Sequence, residues 1–102
     1  MTTRSALVKA RRGAAFLDAK LGRGWRRKIR RRDLNMAVGI SREKGECGCI
    51  LAQLYTYYDD GAIEMEIDAD FEAQEDLGFV QSDDASYDQL TEAWLEVLRE
   101  KA

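Results

Sequence analysis

The densest group of chemically active side chains in this sequence lies between Arg23 and Arg32, where seven of ten residues are Arg or Lys. Guanidinium groups bind carboxylates and phosphates through paired N–H donors. Closely spaced cations also neutralise the phosphate backbone of nucleic acids. We therefore predict a surface that binds an anionic macromolecule. The candidate binding residues are Arg23, Arg26, Arg27, Lys28, Arg30, Arg31 and Arg32, with Arg11 and Arg12 extending the surface.

The net charge of −3 conceals a strong polarity along the chain. Residues 1–44 carry a net charge of +11, and residues 45–102 carry −14. This polarity leaves three hypotheses open. The basic segment binds an acidic protein surface, which we favour; it binds a nucleic-acid backbone; or its charges pair inside a structural or dimeric protein. The acidic half could in addition mimic nucleic acid, although a solvated face is the simpler interpretation.

Two smaller groups of side chains could hold a metal. Cys47 and Cys49 are the only cysteines and the chain has no histidine, so four zinc ligands are available only across a dimer. We interpret both cysteines as packing residues. Asp68, Asp70 and Glu72 have the opening spacing of a calcium loop, but Ala73 stands where such a loop needs glycine. We therefore expect no metal and no cofactor.

The sequence offers no motif for catalysis. It contains no nucleophile elbow, phosphate-binding loop or dinucleotide fingerprint, and it lacks histidine, the commonest general base. We expect a protein that is not an enzyme. The chain also has no apolar run near the ~18–20 residues of a membrane span, and no signal peptide is visible. We therefore expect a cytoplasmic protein with no membrane contact.

Periodic apolar residues predict the helices that must position these side chains. The longest uncharged stretch with large apolar residues is Cys47–Tyr58, and we predict a central helix at 48–58, stopped by Asp59-Asp60-Gly61. Leu7 to Leu21 repeat at helical spacing and end at Gly22-Arg23-Gly24. The full set of predicted helices is 4–21, 24–32, 48–58, 70–77 and 85–100.

Local signals support several of these helices. Trp25 and Ile29 share one side of the predicted helix 24–32 and would anchor it, so Trp25 is a core residue rather than a stacking platform. Asp70 can cap the helix at 70–77, with Gly78 after its end. Ser86 and Gln89 have the spacing of a capping box at the start of the last helix.

The predicted fold is a mainly α, single-domain bundle of four to five helices spanning residues 1–102. One alternative concerns Ala62–Asp68, where Ile63, Met65 and Ile67 alternate with acidic residues as in a half-buried strand. Because Asp60-Gly61 is also a turn signal, residues 54–67 could form a short β-hairpin.

Several sequence blocks together resemble small uncharacterised proteins of actinobacteria and their phages. The resemblance implies a compact, mostly helical protein and implies no activity. The arginine run around Ile29 and the segment Ala62–Ile67 depart from that pattern. The matching blocks are Gly13–Asp18, Gly24-Trp25 with Ile29, Leu34–Met36, Cys47–Leu54, Leu77–Phe79, and Tyr87 with Leu90–Trp94.

Overall fold

The computed structural model describes residues 2–43 and 45–100, and in these residues it contains six α-helices and one 3-10 helix. Among these residues, β-pairing is limited to isolated bridges. The prediction of a mainly α fold is confirmed. The elements are α1 (Arg4–Leu21), α2 (Trp25–Lys28), the 3-10 helix (Arg31–Asp33), α3 (Ile50–Tyr55), α4 (Tyr58–Glu64), α5 (Phe71–Asp76) and α6 (Tyr87–Arg99).

The helices α1, α5 and α6 begin and end close to the predicted residues because their termini carry strong local signals. The Asp70 side chain accepts the Ala73 N–H at the start of α5. Ser86 and Gln89 form the predicted capping box of α6. Gly22 and Gly78 both have positive φ, which glycine adopts without steric cost.

The core is centred on Trp94, which is fully buried on α6. Its ring stacks on Phe79 with a centroid distance of 5.7 Å, and it meets the Trp25 ring edge-on at 6.2 Å. The indole N–H donates to the Gly78 carbonyl at 2.7 Å, so its one polar group is satisfied. Trp94 lies on α6, and α6 makes its most extensive helix contact with α1.

The predicted helix at 48–58 is wrong in its length. Ile50, Leu51 and Ala52 are fully buried in α3, as a central segment should be, but the helix ends at Tyr55. Thr56 has a positive φ of 77°, and Tyr57 is extended. Backbone hydrogen bonds between residues 39–41 and residues 56–58 hold this break, because they replace the bonds that a continuing helix would make.

The alternative of a β-hairpin at 54–67 is also wrong, because residues 58–64 form helix α4. Gly61, which the sequence predicts as part of a stop signal, lies inside this helix. A Cβ at Gly61 would come 2.7 Å from the Leu51 Cβ. The glycine therefore allows α4 to pack closely on α3.

The predicted helix at 24–32 ends at Lys28. Ile29 and Arg30 are extended, because the Gln53 side-chain amide pairs with the Arg30 backbone. Gln53 Oε1 accepts the Arg30 N–H at 2.6 Å, and Gln53 Nε2 donates to the Arg30 carbonyl at 3.2 Å. The predicted anchors are nevertheless confirmed: Trp25 is 2% exposed and Ile29 is buried.

Gly13 provides a test of this packing. A Cβ there would lie 2.1 Å from the Leu77 carbonyl oxygen and 2.7 Å from the Trp94 ring. We expect Gly13→Ala to lower the free energy of unfolding by at least ~1–3 kcal/mol, because overpacking outweighs the gain in helix propensity. Urea unfolding measures this change.

Gly24→Ala is the matched control, since Gly24 has an ordinary φ of −61° and no atom within 4 Å of the added Cβ. Its free energy of unfolding should stay within ~0.5 kcal/mol of wild type. A Gly13→Ala variant as stable as the Gly24→Ala variant would contradict the described contact between α1 and α6.

Candidate anion-binding surface

Asp18 anchors the start of the basic segment. Its carboxylate accepts the Trp25 indole N–H at 2.8 Å and both donors of the Arg26 fork, at 3.2 Å and 2.8 Å. The Arg26 guanidinium also lies 5.4 Å from the centre of the Trp25 ring. One carboxylate on α1 thus holds two side chains through three N–H donors, and Arg26 is occupied by an internal contact.

The environment of Asp18 favours its charged form. The hydrogen bond from Arg26 is the main cause that lowers the pKa of Asp18, and Trp25 adds to it, while partial burial opposes them. Both donors therefore stabilise the carboxylate that holds them. Because Trp25 is buried by this arrangement, its ring offers no surface on which a base could stack.

Arg30 is likewise occupied inside the fold. Its guanidinium donates to Asp33 at 3.2 Å, to the Ser41 hydroxyl at 2.6 Å and to the Glu46 carbonyl at 3.0 Å. Ser41 is buried, and the Arg30 backbone is paired with Gln53. This side chain joins the arginine segment to the loop before α3, so its role is structural.

The acidic half of the chain pairs with α1 rather than with the arginine segment. Lys9 contacts Asp84 at 2.6 Å, and Lys20 contacts Glu66 at 3.6 Å. Arg11 binds Glu100 at 2.6 Å, and this hydrogen bond lowers the pKa of Glu100. Arg11 is therefore occupied, which does not support its place in the predicted surface.

Five cations of the segment face solvent. We call Arg23, Arg27, Lys28, Arg31 and Arg32 the exposed cation set. Each is exposed, and none of their side chains makes a hydrogen bond or ion pair with another described residue.

The structure brings two members of this set together. Arg27 and Arg31 line one shallow depression of about 300 Å³ beside Arg26, and Ile29 and Leu98 add apolar surface to it. Arg12 is also exposed, but it lines a different depression beside Arg4 and Asp84. The prediction that Arg12 extends the surface is therefore not supported by this arrangement.

The depression between Arg27 and Arg31 can bind a carboxylate or phosphate by paired hydrogen bonds, with an apolar group beside it. Among the described residues, no group of three or more His, Cys, Asp or Glu side chains could hold a metal. Cys49 is buried, and burial raises its pKa to about 11. Cys47 is exposed, so the interpretation as packing residues holds for Cys49 and is wrong for Cys47.

No protein-family model matches the chain, and no curated protein or solved structure is detectably similar to it. In the part of the chain that the structure describes, none of the helices is both long enough and apolar enough to cross a bilayer.

Sequence reasoning missed the two side chains that shape the segment. Asp18 is the only acidic residue in residues 1–32, which was a usable signal for an arginine partner. Gln53 is one of two clearly polar side chains in Cys47–Tyr58, and a buried amide must find hydrogen bonds. Neither signal shows which arginine is held.

The contact at Asp18 predicts a pH-dependent stability. Because its pKa is lowered in the folded protein, its contribution is present above the unfolded-state pKa of about 4 and is lost as the pH falls toward the folded-state value. Asp18→Asn should lower the free energy of unfolding by about 1–3 kcal/mol at pH 7. The difference from wild type should shrink at pH 3, as measured by urea unfolding at both pH values.

Asp83→Asn serves as the control, since Asp83 is exposed and has no ion-pair partner among the described residues. This variant should match wild type at both pH values. An Asp18→Asn penalty that is equal at pH 7 and pH 3 would show that the ionised carboxylate is not what holds Trp25 and Arg26.

Proposed function

We propose that this protein is a non-enzymatic interaction protein that binds an acidic protein surface through its exposed cation set. The observation that carries the proposal is that the basic segment contains both internally bonded and exposed cations. Arg26 and Arg30 make internal hydrogen bonds, whereas Arg27 and Arg31, which line an open depression beside Arg26, make none with a described residue. The neighbouring cations of this set repel one another, and an anionic partner would relieve that repulsion.

Three features favour an acidic protein over a nucleic acid. The α2 helix has four residues, too few to read a major groove, and the buried Trp25 cannot stack on bases. The depression between the arginines has apolar walls from Ile29 and Leu98, which suit a side chain better than a phosphodiester.

Internal charge pairing accounts for Arg11, Arg26 and Arg30 but leaves the exposed cation set without a role. Nucleic-acid binding stays open as the alternative. We place the partner in a bacterial cytoplasm on the basis of the resemblance to actinobacterial and phage proteins. The resemblance, the bacterial or phage origin and the cytoplasmic location all stay predictions.

The proposal is tested by fluorescence anisotropy with a labelled acidic peptide containing alternating Glu and Leu, titrated at several salt concentrations. We expect binding at low salt that weakens as salt rises, because screening reduces charge attraction. Arg27→Glu combined with Arg31→Glu should weaken binding by at least tenfold. A labelled random DNA duplex and a single strand are titrated in parallel and should bind more weakly than the peptide.

The matched control combines Arg4→Glu with Arg12→Glu, which changes the charge equally at the other depression. It should bind the peptide nearly as well as wild type. Equal loss in both double variants would show that binding follows net charge alone. Tight DNA binding with a log–log salt slope of about −4 to −5, lost in the Arg27/Arg31 variant, would favour the nucleic-acid alternative.

A further inference from the structure

A second surface of the molecule contains a pocket of about 500 Å³ between the loop at residues 36–39 and helices α4 and α5. Its apolar walls include Met36, Phe79 and Val80, and the ring of Phe71 stands at its edge. A neighbouring depression of about 300 Å³ shares Tyr58, Asp59 and Gln74 with it. Pockets in this range of volume hold small ligands or one to two side chains.

Exposed large apolar side chains gather at this place. Phe71 is 64% exposed and lines the pocket, and Ile63 is 56% exposed and lines the neighbouring depression. Tyr57 also lines the pocket, and its backbone pairs with that of exposed Ile40. Single exposed apolar residues are ordinary, but a cluster around a pocket is typical of an interaction site.

Two polar side chains in the wall of the pocket, Tyr58 and Gln74, are already paired with each other. The Tyr58 hydroxyl donates to Gln74 Oε1, and Gln74 Nε2 donates to the Ile67 carbonyl at 2.7 Å. Cys49, which also lines the pocket, holds a protonated thiol at neutral pH because burial raises its pKa to about 11. Between Met36, Phe79 and Val80, an occupant would therefore gain apolar contact area, which favours an apolar side chain there.

The rim of this surface is mainly acidic. Asp59 lines both depressions and Asp68 lines the second, and neither has an ion-pair partner among the described residues. Exposed Asp60 and Glu72 lie on the same two helices, α4 and α5. The cation that the described contacts place here is Arg42, which hydrogen-bonds the Tyr57 hydroxyl and lies over its ring. Among the residues that the structure describes, the lining contains no Lys or Arg.

We propose that this pocket binds a basic peptide segment of another protein, which inserts a large apolar side chain beside Phe71 and places flanking Lys or Arg residues against Asp59 and Asp68. Charge complementarity selects this occupant. A second copy docked by the same face would bring two acidic rims together, which opposes a symmetric dimer. The site is separate from the exposed cation set and has the opposite charge preference.

The test uses the full-length ¹⁵N-labelled protein and the hexapeptide Lys-Arg-Phe-Leu-Arg-Lys, followed by amide chemical shifts at low and at physiological salt. We expect saturable shifts at residues of α4 and α5, and weaker binding at the higher salt. Phe71→Ser should weaken binding by at least tenfold. Asp59→Asn combined with Asp68→Asn should weaken it several-fold and reduce its salt dependence.

Val8→Ser is the matched control, because Val8 is an exposed apolar residue that lines a different depression on α1. It should bind the peptide as wild type does. The hexapeptide Lys-Arg-Ser-Gly-Arg-Lys keeps the charge and lacks the apolar anchor, so it should produce little shift at α4 and α5. Since Phe71 is mostly exposed, circular dichroism should show that its variant stays folded.

Three results would overturn the proposal. These are the absence of shifts at millimolar peptide, equal binding by the Phe71→Ser variant, or equal binding of the peptide without the apolar anchor. Sedimentation velocity tests whether a second copy of this chain occupies the pocket instead. A wild-type dimer that Phe71→Ser dissociates would show that a second copy fills the pocket. The Arg27/Arg31 variant should leave binding of the basic peptide intact, so failure of this proposal and failure of the anion-binding proposal are distinguishable.

Discussion

The structure depends on how a segment of seven cations in ten residues is held against a folded core. Like charges this close repel one another, and a four-residue helix supplies little stability of its own. Asp18 resolves this constraint by binding Trp25 and Arg26 at once. Trp25 in turn packs edge-on against Trp94, so one carboxylate connects the charged segment to the centre of the core.

The segment alternates between inward and outward pairs of residues. Trp25 with Arg26, and Ile29 with Arg30, make the internal contacts. Arg27 with Lys28, and Arg31 with Arg32, face solvent. A helix that turns 100° per residue would also place these four inward residues on one side, so the alternation is the one that the sequence spacing indicates. The helix nevertheless ends at Lys28, and Ile29 and Arg30 are extended where the Arg30 backbone exchanges hydrogen bonds with the Gln53 side chain. The contacts of Arg26 with Asp18 and of Arg30 with Asp33 and Ser41 determine which cations are left for a partner.

Much of the architecture was predictable because its signals are local. The ends of α1, α5 and α6 follow from capping residues and glycines, and the burial of Trp25 and Ile29 follows from their spacing. The break at Thr56 was not predictable in the same way. It depends on backbone pairing with residues 39–41, far along the chain, and Thr56 carries no residue-type signal for a positive φ. The prediction that Gly61 marks a turn was wrong, because glycine is favoured both in turns and where two helices pack closely.

The candidate surface was predictable as a segment but not residue by residue. Composition identifies the basic stretch, whereas the choice of Arg26 and Arg30 as structural residues depends on Asp18, Ser41 and Gln53. The pocket beside Phe71 was even less predictable from the sequence. Its walls come from the loop at 36–39, the helices α4 and α5, and Phe79, which the fold brings together from separate parts of the chain.

The central claim is that the basic segment divides into structural and available cations, and one comparison of stability tests it directly. Two double variants remove the same charge: Arg26→Gln with Arg30→Gln, and Arg27→Gln with Arg31→Gln. Urea unfolding should show a loss of about 2–4 kcal/mol for the first, because charged hydrogen bonds are broken. The second should unfold as wild type does, or at slightly higher urea, because repulsion is reduced. Equal losses in the two variants would contradict the division.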